Sequence, residues 1–406
     1  MPSRSNCRPN RTNACSVSDR QPAISPPIWL MAMAAFTVGC GLRILDPLLP
    51  MLAGEFGVGL GAVAPLIAGF AMAYGLGQFA AGPVGDSLGK MRVAAVAMAL
   101  YAATLLGATL APDLVALLAM RVLSGFFAAA TIPLFMAHIG DSVAYEHRQA
   151  TIGRFLTGMV MATLLAGPIS GIVAEFAGWR ASFLVLGGIG AAIALLFILL
   201  LGPGWKQGGR GGRPGFGGFL RLLERPAGRR LMLVTALDGM LLFGGAVPFI
   251  ASLLIQRFDL SAAEAGLAVA GFGLGAFVYT RSAGRLVKRL GERGMVLWGG
   301  LGLGAALAAM ALAPAWWVVA GAQAMLGLLF FMLHGVLQAR ATEALPEARG
   351  TAVAGFAMSL FLGQSLGAVV FGTIIAEAGF TPGFLLAAAG TVALAVAINR
   401  WVLPKG

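Results

Sequence analysis

The 406-residue sequence predicts an all-α membrane protein of twelve transmembrane helices in two pseudo-symmetric six-helix halves, with both termini on the cytoplasmic side. Three observations predict it. The chain is 59% hydrophobic and only 11% charged, against about 25% charged in a soluble domain. So few charges cannot cover the chain with a polar surface. The apolar residues fall in runs of about 20, the length that crosses a bilayer core as a helix. A set of glycines also recurs halfway along the chain.

The runs lie near 28–52, 61–82, 92–112, 114–138, 155–177, 182–202, 231–255, 263–283, 295–313, 315–339, 351–376 and 382–402. Residues 1–27 read as a disordered cytoplasmic tail, basic but without the apolar stretch of a signal peptide. Residues 28–202 form the first half and 231–406 the second. Between them 203–230, rich in Gly, Pro and Arg, reads as a cytoplasmic linker. With the N-terminus inside, cytoplasmic segments hold Lys90, Arg92, Arg148, Arg154, the runs Lys206–Arg230 and Arg281–Arg293, Arg340 and Arg349. The outer loops hold only Arg180 and Arg257. That asymmetry is the positive-inside pattern, and all 7 tryptophans sit at run ends, as an interfacial belt requires.

The repeat is specific. Gly82 and Gly89 after the second run recur as Gly284 and Gly291 after the eighth. Gly171, Gly178 and Phe183 recur as Gly372, Gly379 and Phe384, at nearly the same offset. Parallel duplicated halves with a site between them near the midplane are a transporter plan. The net charge of +12 sits in short clusters between apolar runs, so it reads as topology, with no nucleic-acid partner. The cysteines, Cys7, Cys15 and Cys40, have no metal-site spacing. A P-loop, H-E-x-x-H and a paired G-x-S-x-G are all missing, which argues against an ATP-driven pump and an intramembrane enzyme. No cofactor and no metal are expected.

Four stretches carry a family resemblance. Gly82-Pro-Val-Gly-Asp86-Ser-Leu-Gly89-Lys90-Met-Arg92 follows the second run. Leu117-x3-Arg121-x3-Gly125-x2-Ala128-Ala129 lies in the fourth. Gly167-Pro168-Ile-Ser-Gly171 lies in the fifth, and Arg43-Ile-Leu-Asp46-Pro47 in the first. Together they resemble the major facilitator superfamily, and within it the drug and sugar (arabinose-type) efflux proton antiporters. The resemblance implies that Gly82, Asp86, Gly89, Lys90 and Arg92 form a cytoplasmic gating loop that latches the halves. Lys288 stands where the second copy's Asp would be. It implies that Gly167, Pro168 and Gly171 form an exporter-type motif, matched only in part because Thr163 and Ile172 replace outer glycines. It also links Arg121 to proton transfer. Small residues let span five bend against the other half, and Gly271 and Gly275 of span eight offer a surface for it.

Ionisable residues inside a membrane are functional candidates by default. Arg43, Asp46, Arg121, Asp238 and His334 fall in spans one, four, seven and ten, which line the central cavity in the family. Asp46 and Arg121 lie at similar depths, roughly 9 and 12 Å below the outer surface at the rise of a helix. Asp46 is therefore the expected proton carrier, held ionised by Arg121 in one state. Pro47 disfavours helix at Asp46 and predicts a local break there. Arg43 and Asp46, three apart, are alternatively a self-neutralising pair. Asp238 is expected near the inner end of span seven, facing the vestibule, and His334 as a lone histidine in span ten. Phe126, Met136, Phe243 and Phe330 are candidate apolar lining.

The expected function is proton-coupled efflux of a small organic compound by alternating access, from a monomer in a bacterial inner membrane. The expected partners are the lipid bilayer, a small-molecule substrate and protons. The alternative is an importer, symporter or facilitator with the same fold.

Overall fold

In a bilayer the backbone has no water to bond to and must satisfy itself internally, which favours helices. The computed structural model describes residues 27–201, 217–346 and 349–403. The expected N-tail (1–27) and the linker residues up to 216 lie largely outside the described residues. Among the described residues there are helices and no strands.

The first half runs α1 (Ile28–Arg43), α2 (Leu49–Glu55), α3 (Leu60–Val63), α4 (Pro65–Leu88), α5 (Lys90–Ala108), α6 (Leu114–Ala128), α7 (Thr131–Ser142), α8 (Tyr145–Ala177) and α9 (Trp179–Leu201). After α10 (Gly217–Glu224) the second half runs α11 (Pro226–Asp238), α12 (Ile250–Phe258), α13 (Ala262–Val269), α14 (Gly271–Ala311), α15 (Trp316–Glu343), α16 (Arg349–Ala378) and α17 (Phe380–Trp401). Ten helical stretches among the described residues are long and apolar enough to cross a membrane, and Ile28–Arg43 is a shorter apolar one. Large apolar side chains such as Phe176, Leu199 and Trp317 are exposed around the bundle. An exposed apolar surface this extensive suits a lipid environment.

Several spans are broken where the sequence gives a reason. α1 stops at Arg43 and α2 starts at Leu49, with Asp46-Pro47 in the turn between. After Asp238 the backbone is π-helical over Gly239–Ala246 and 3-10 over Val247–Phe249 before α12 resumes. Pro248 lacks the N–H a regular helix needs there. The eighth run is split between α13 and the start of α14, which continues into the ninth run with Gly291 (φ 62°, ψ 174°) as the turn inside it.

The repeated glycines have matching geometry. Gly89, Gly178, Gly291 and Gly379 all take positive φ (97°, 78°, 62° and 87°), which only glycine adopts without strain. Gly82 does not: α4 continues to Leu88, so Gly82 and Asp86 are helical and the tight turn is made by Gly89 alone. The linker differs from expectation in its second part. Instead of coil up to 230, α10 forms and α11 begins at Pro226. Leu222 is buried against Leu345 and Ala352, and that contact stabilises the short helix.

Candidate functional site

The break in span one places a charged pair between the halves. Arg43 closes α1 and Asp46 sits in the turn, with Arg43 Nη1 3.4 Å from Asp46 Oδ2. Both are nearly buried, at 14% and 8% side-chain exposure. The Arg43 guanidinium lies over the rings of Phe243 (4.6 Å) and Phe272 (6.0 Å), both in the second half. A cavity of about 20 Å³ opens beside the pair, walled by Thr163, Gly167, Val247, Val269 and Gln323. That is room for one water.

Arg121 is 1% exposed. It donates from Nε to the Leu66 carbonyl (3.2 Å) and from Nη1 to the Gly41 carbonyl (3.0 Å), and it lies 4.2 Å from the Phe70 ring. The expected Arg121–Asp46 ion pair is therefore not the one formed. Arg43, one helical turn away, reaches the carboxylate first, and Arg121 is committed to carbonyls of spans one and two. The self-neutralising alternative matches this geometry.

Asp238 and His334 were read separately from sequence, yet the structure joins them. Asp238 is fully buried and does not face a vestibule; its Oδ2 lies 2.7 Å from His334 Nδ1. With that partner His334 is not a lone histidine; its ring also stacks on Phe330 (4.6 Å) and meets Phe356 (5.3 Å). Phe330 in turn meets Phe243, 4.8 Å away. A chain of rings thus runs from Arg43 to His334. Of the expected lining, Phe243 and Phe330 are inside, whereas Phe126 and Met136 are exposed.

Around Gly89, Lys90 forms ion pairs within the first half. Lys90 Nζ lies 3.7 Å from Asp86 and 2.5 Å from Asp141. Of the expected gating-loop residues, Asp86 and Lys90 thus join Asp141 in a cluster on the ends of α4, α5 and α7, and these pairs do not bridge the halves. The halves meet at the other end. A Cβ on Gly171 would collide with the Ala262 carbonyl, and one on Gly266 with Gly167. Gly61 packs on Gly372 and Ala376, and Glu175 of α8 accepts a hydrogen bond from the Ala263 N–H, at the start of α13 (2.9 Å). At the Gly89 end, Gly82, Gly153, Gly284 and Gly350 have nothing within 4 Å of a built Cβ. The close backbone approaches between the halves thus cluster toward the Gly178 end.

Gly167 and Gly171 do face span eight, but through α13. Gly271 and Gly275 face Ala320 and Ala324 of α15 instead. Helical phase, invisible until the break at Ala270 is known, decides this. Gln323 and Phe272 escaped the sequence reading. A lone Gln in an apolar run was a usable signal; Phe272 carried none. Glu55 also escaped. It binds Arg180 and the Trp179 indole, both at 2.5 Å. Burial works against its ionisation, but these hydrogen bonds outweigh burial and hold its carboxyl below the usual carboxylate range.

Apolar helices in two glycine-matched halves, broken around buried charges at the seam, define a class: an integral membrane carrier of small solutes. Comparison with known proteins agrees. The family model of the Major Facilitator Superfamily matches residues 31–244 and 231–406, and the chain belongs to that family. Its members are transporters and not enzymes. The chain is 26% identical over 353 residues to the uncharacterized MFS-type transporter YceJ of Bacillus subtilis, covering 85% of this chain and 88% of that one. It is 26% identical over 225 residues to the multi-drug resistance efflux pump PmrA homolog of Lactococcus lactis, covering 54% of each. Among solved structures, a bacterial homolog of the human lysosomal transporter Spinster superposes with a TM-score of 0.74 at 18% identity, over 94% of this chain and 96% of that one. The nucleoside transporter NupG does so with 0.73 at 16%, over 93% and 99%.

Proposed function

We propose that the chain is a proton-coupled exporter of a small organic compound, with twelve spans, both termini in the cytoplasm, and the bacterial inner membrane as its site. One observation carries this reading: a carboxylate, Asp46, buried at a helix break on the seam between the halves, beside a water-sized cavity. Buried charge contributes little to stability and is costly in a membrane, so its retention points to use.

The geometry supplies a cycle. With the Gly178 end closed, Arg43 neutralises Asp46 and is itself held by Phe243 and Phe272 across the seam. Rocking the halves open at that end removes the aromatic support and admits water. Asp46 then takes a proton from the periplasmic side, needs no counter-charge, and allows the seam to close again. Opening toward the cytoplasm returns the proton as substrate binds. Arg121 pins spans one, two and four together, so that the broken span moves with its half. The Asp86–Lys90–Asp141 cluster is the cytoplasmic latch in its released form. Efflux as the direction draws on the likeness to the PmrA homolog, whose name describes an efflux pump.

The test is growth inhibition across drugs, dyes, sugars and metabolites in a bacterial host lacking its main efflux pumps. The chain is expected to confer resistance to a subset, and Asp46→Asn to abolish it at equal membrane abundance. Resistance that survives Asp46→Asn removes Asp46 as the carrier. Increased sensitivity with the unaltered chain points to import.

A further inference from the structure

Asp238 and His334 occupy the second half much as Asp46 and Arg43 occupy the first: a carboxylate and a basic group, buried, at an irregularity in a span. Asp238 is the last residue of α11, and the backbone turns π-helical at the next residue. Such bulges recur at functional sites. Asp238 is 0% and His334 7% exposed. Their bond uses only Oδ2; Oδ1 of Asp238 is buried with no hydrogen-bond partner. Leaving a buried carboxylate oxygen unpaired is costly, and a structural pair would satisfy it.

Among the described residues, the ion pairs and hydrogen bonds of the neighbouring helices lead elsewhere. On α15, Arg340 lies nearly two turns along the helix and is committed to Glu292 and Glu343. On α11, Arg229 bonds the carbonyls of Leu223 and Glu224 at the far end, next to Arg230. On α14 the Tyr279 hydroxyl lies against Gly335, and the charges of that helix cluster around Gly291. α16 approaches with Phe356 and the backbone near Gly363; its Glu377 and Arg400 of α17 each lie at the C-terminal end of their helix. With imidazole neutral and carboxylate ionised, the pair holds a net charge of −1 in an apolar core. One added proton cancels it, as imidazolium–carboxylate or as imidazole–carboxylic acid. The charge change comes from one proton, and no other group is consumed.

We propose that Asp238 and His334 form a second proton-binding site, in the C-terminal half and separate from Asp46. The ring chain through Phe330 and Phe243 ends under the Arg43 guanidinium. A change in the pair's charge or position therefore has a packed route to the first site. This deepens the coupling reading, and rests on it for any role in transport; proton binding itself does not.

The chain has 3 histidines, so His334 is observable alone. The experiment is nitrogen-15 histidine NMR of the full-length protein in lipid nanodiscs, in a His138→Asn/His147→Asn background, from pH 5 to 9. His334 is expected to change protonation state across this range, and Asp238→Asn, which removes the adjacent charge, to alter that response. Asp46→Asn is expected to leave a titration at His334. If the reduced-histidine chain fails to fold, the signal is read in the unaltered chain and assigned by the difference from His334→Asn. A His334 that keeps one protonation state throughout, or titrates identically with and without the Asp238 carboxylate, overturns the proposal. If Asp46→Asn leaves transport intact while Asp238→Asn moves the titration, the coupling role of Asp46 fails and the second site stands.

Discussion

Gly171 is where the proposed alternating movement is most exposed to a single methyl group. It lies on α8, and its missing side chain lets α13 of the other half approach backbone to backbone. A Cβ there would sit 2.9 Å from the Ala262 carbonyl carbon and 3.3 Å from the Ala263 Cα, with the Ala262 oxygen nearer still. Carbon atoms rest at about 3.5–4.0 Å, so Gly171→Ala must open the closed end by about 1 Å. No flexible side chain is there to yield, only two helix backbones. Overpacking of this kind costs about 1–3 kcal/mol, and only in the state closed at this end. Since each 1.4 kcal/mol is about tenfold, the populations shift by roughly 5–150-fold toward the state open at the Gly178 end. The assay is a spin-label distance across that end, between Leu110→Cys in the first half and Leu312→Cys in the second, after replacing the native cysteines. Both positions are exposed and away from the seam. The distance distribution is expected to lengthen with Gly171→Ala and to stay unchanged with Gly153→Ala, whose Cβ would meet open space on the same helix. An unchanged distribution in a folded Gly171→Ala protein, or an equal change in Gly153→Ala, refutes the seam argument.

Two further outcomes follow from the site geometry. Arg121→Ala leaves the Gly41 carbonyl, at the end of α1, without its side-chain donor and removes the added bond to Leu66; at about 1–3 kcal/mol for a buried unpaired group, the thermal midpoint in detergent should fall by several degrees, and Arg121→Lys should recover only part of it. Glu55 has a depressed folded carboxyl value, so its contribution is present above its ordinary value near 4.5 and is lost as pH falls through the lower, folded one. Thermal stability of the unaltered chain should therefore decline more steeply below about pH 4.5 than that of Glu55→Gln, which lacks this titration; parallel curves would show that the Glu55–Arg180–Trp179 contact carries no stability.

The helical membrane class, the break at Asp46-Pro47 and the halves' matching turns were legible in the sequence, because each depends on local chemistry. Apolar runs of bilayer length have one backbone solution. Pro47 disfavours helix at the residue before it, and glycines with positive φ mark turns in both copies. The candidate charges were legible too, since a bilayer makes each ionisable group conspicuous. Their partners were not. Asp46 binds Arg43 and not Arg121, and Asp238 finds His334 96 positions away. Pairing depends on helix rotation and on which neighbour arrives first, and neither leaves a trace in residue order. The same holds for the seam: small residues announce that α8 packs closely somewhere, but the break at Ala270 and the turn of α13 decide that Gly266 receives it and Gly271 does not. Composition and periodicity determine what each segment must become; only the packed helices determine which buried charge faces which.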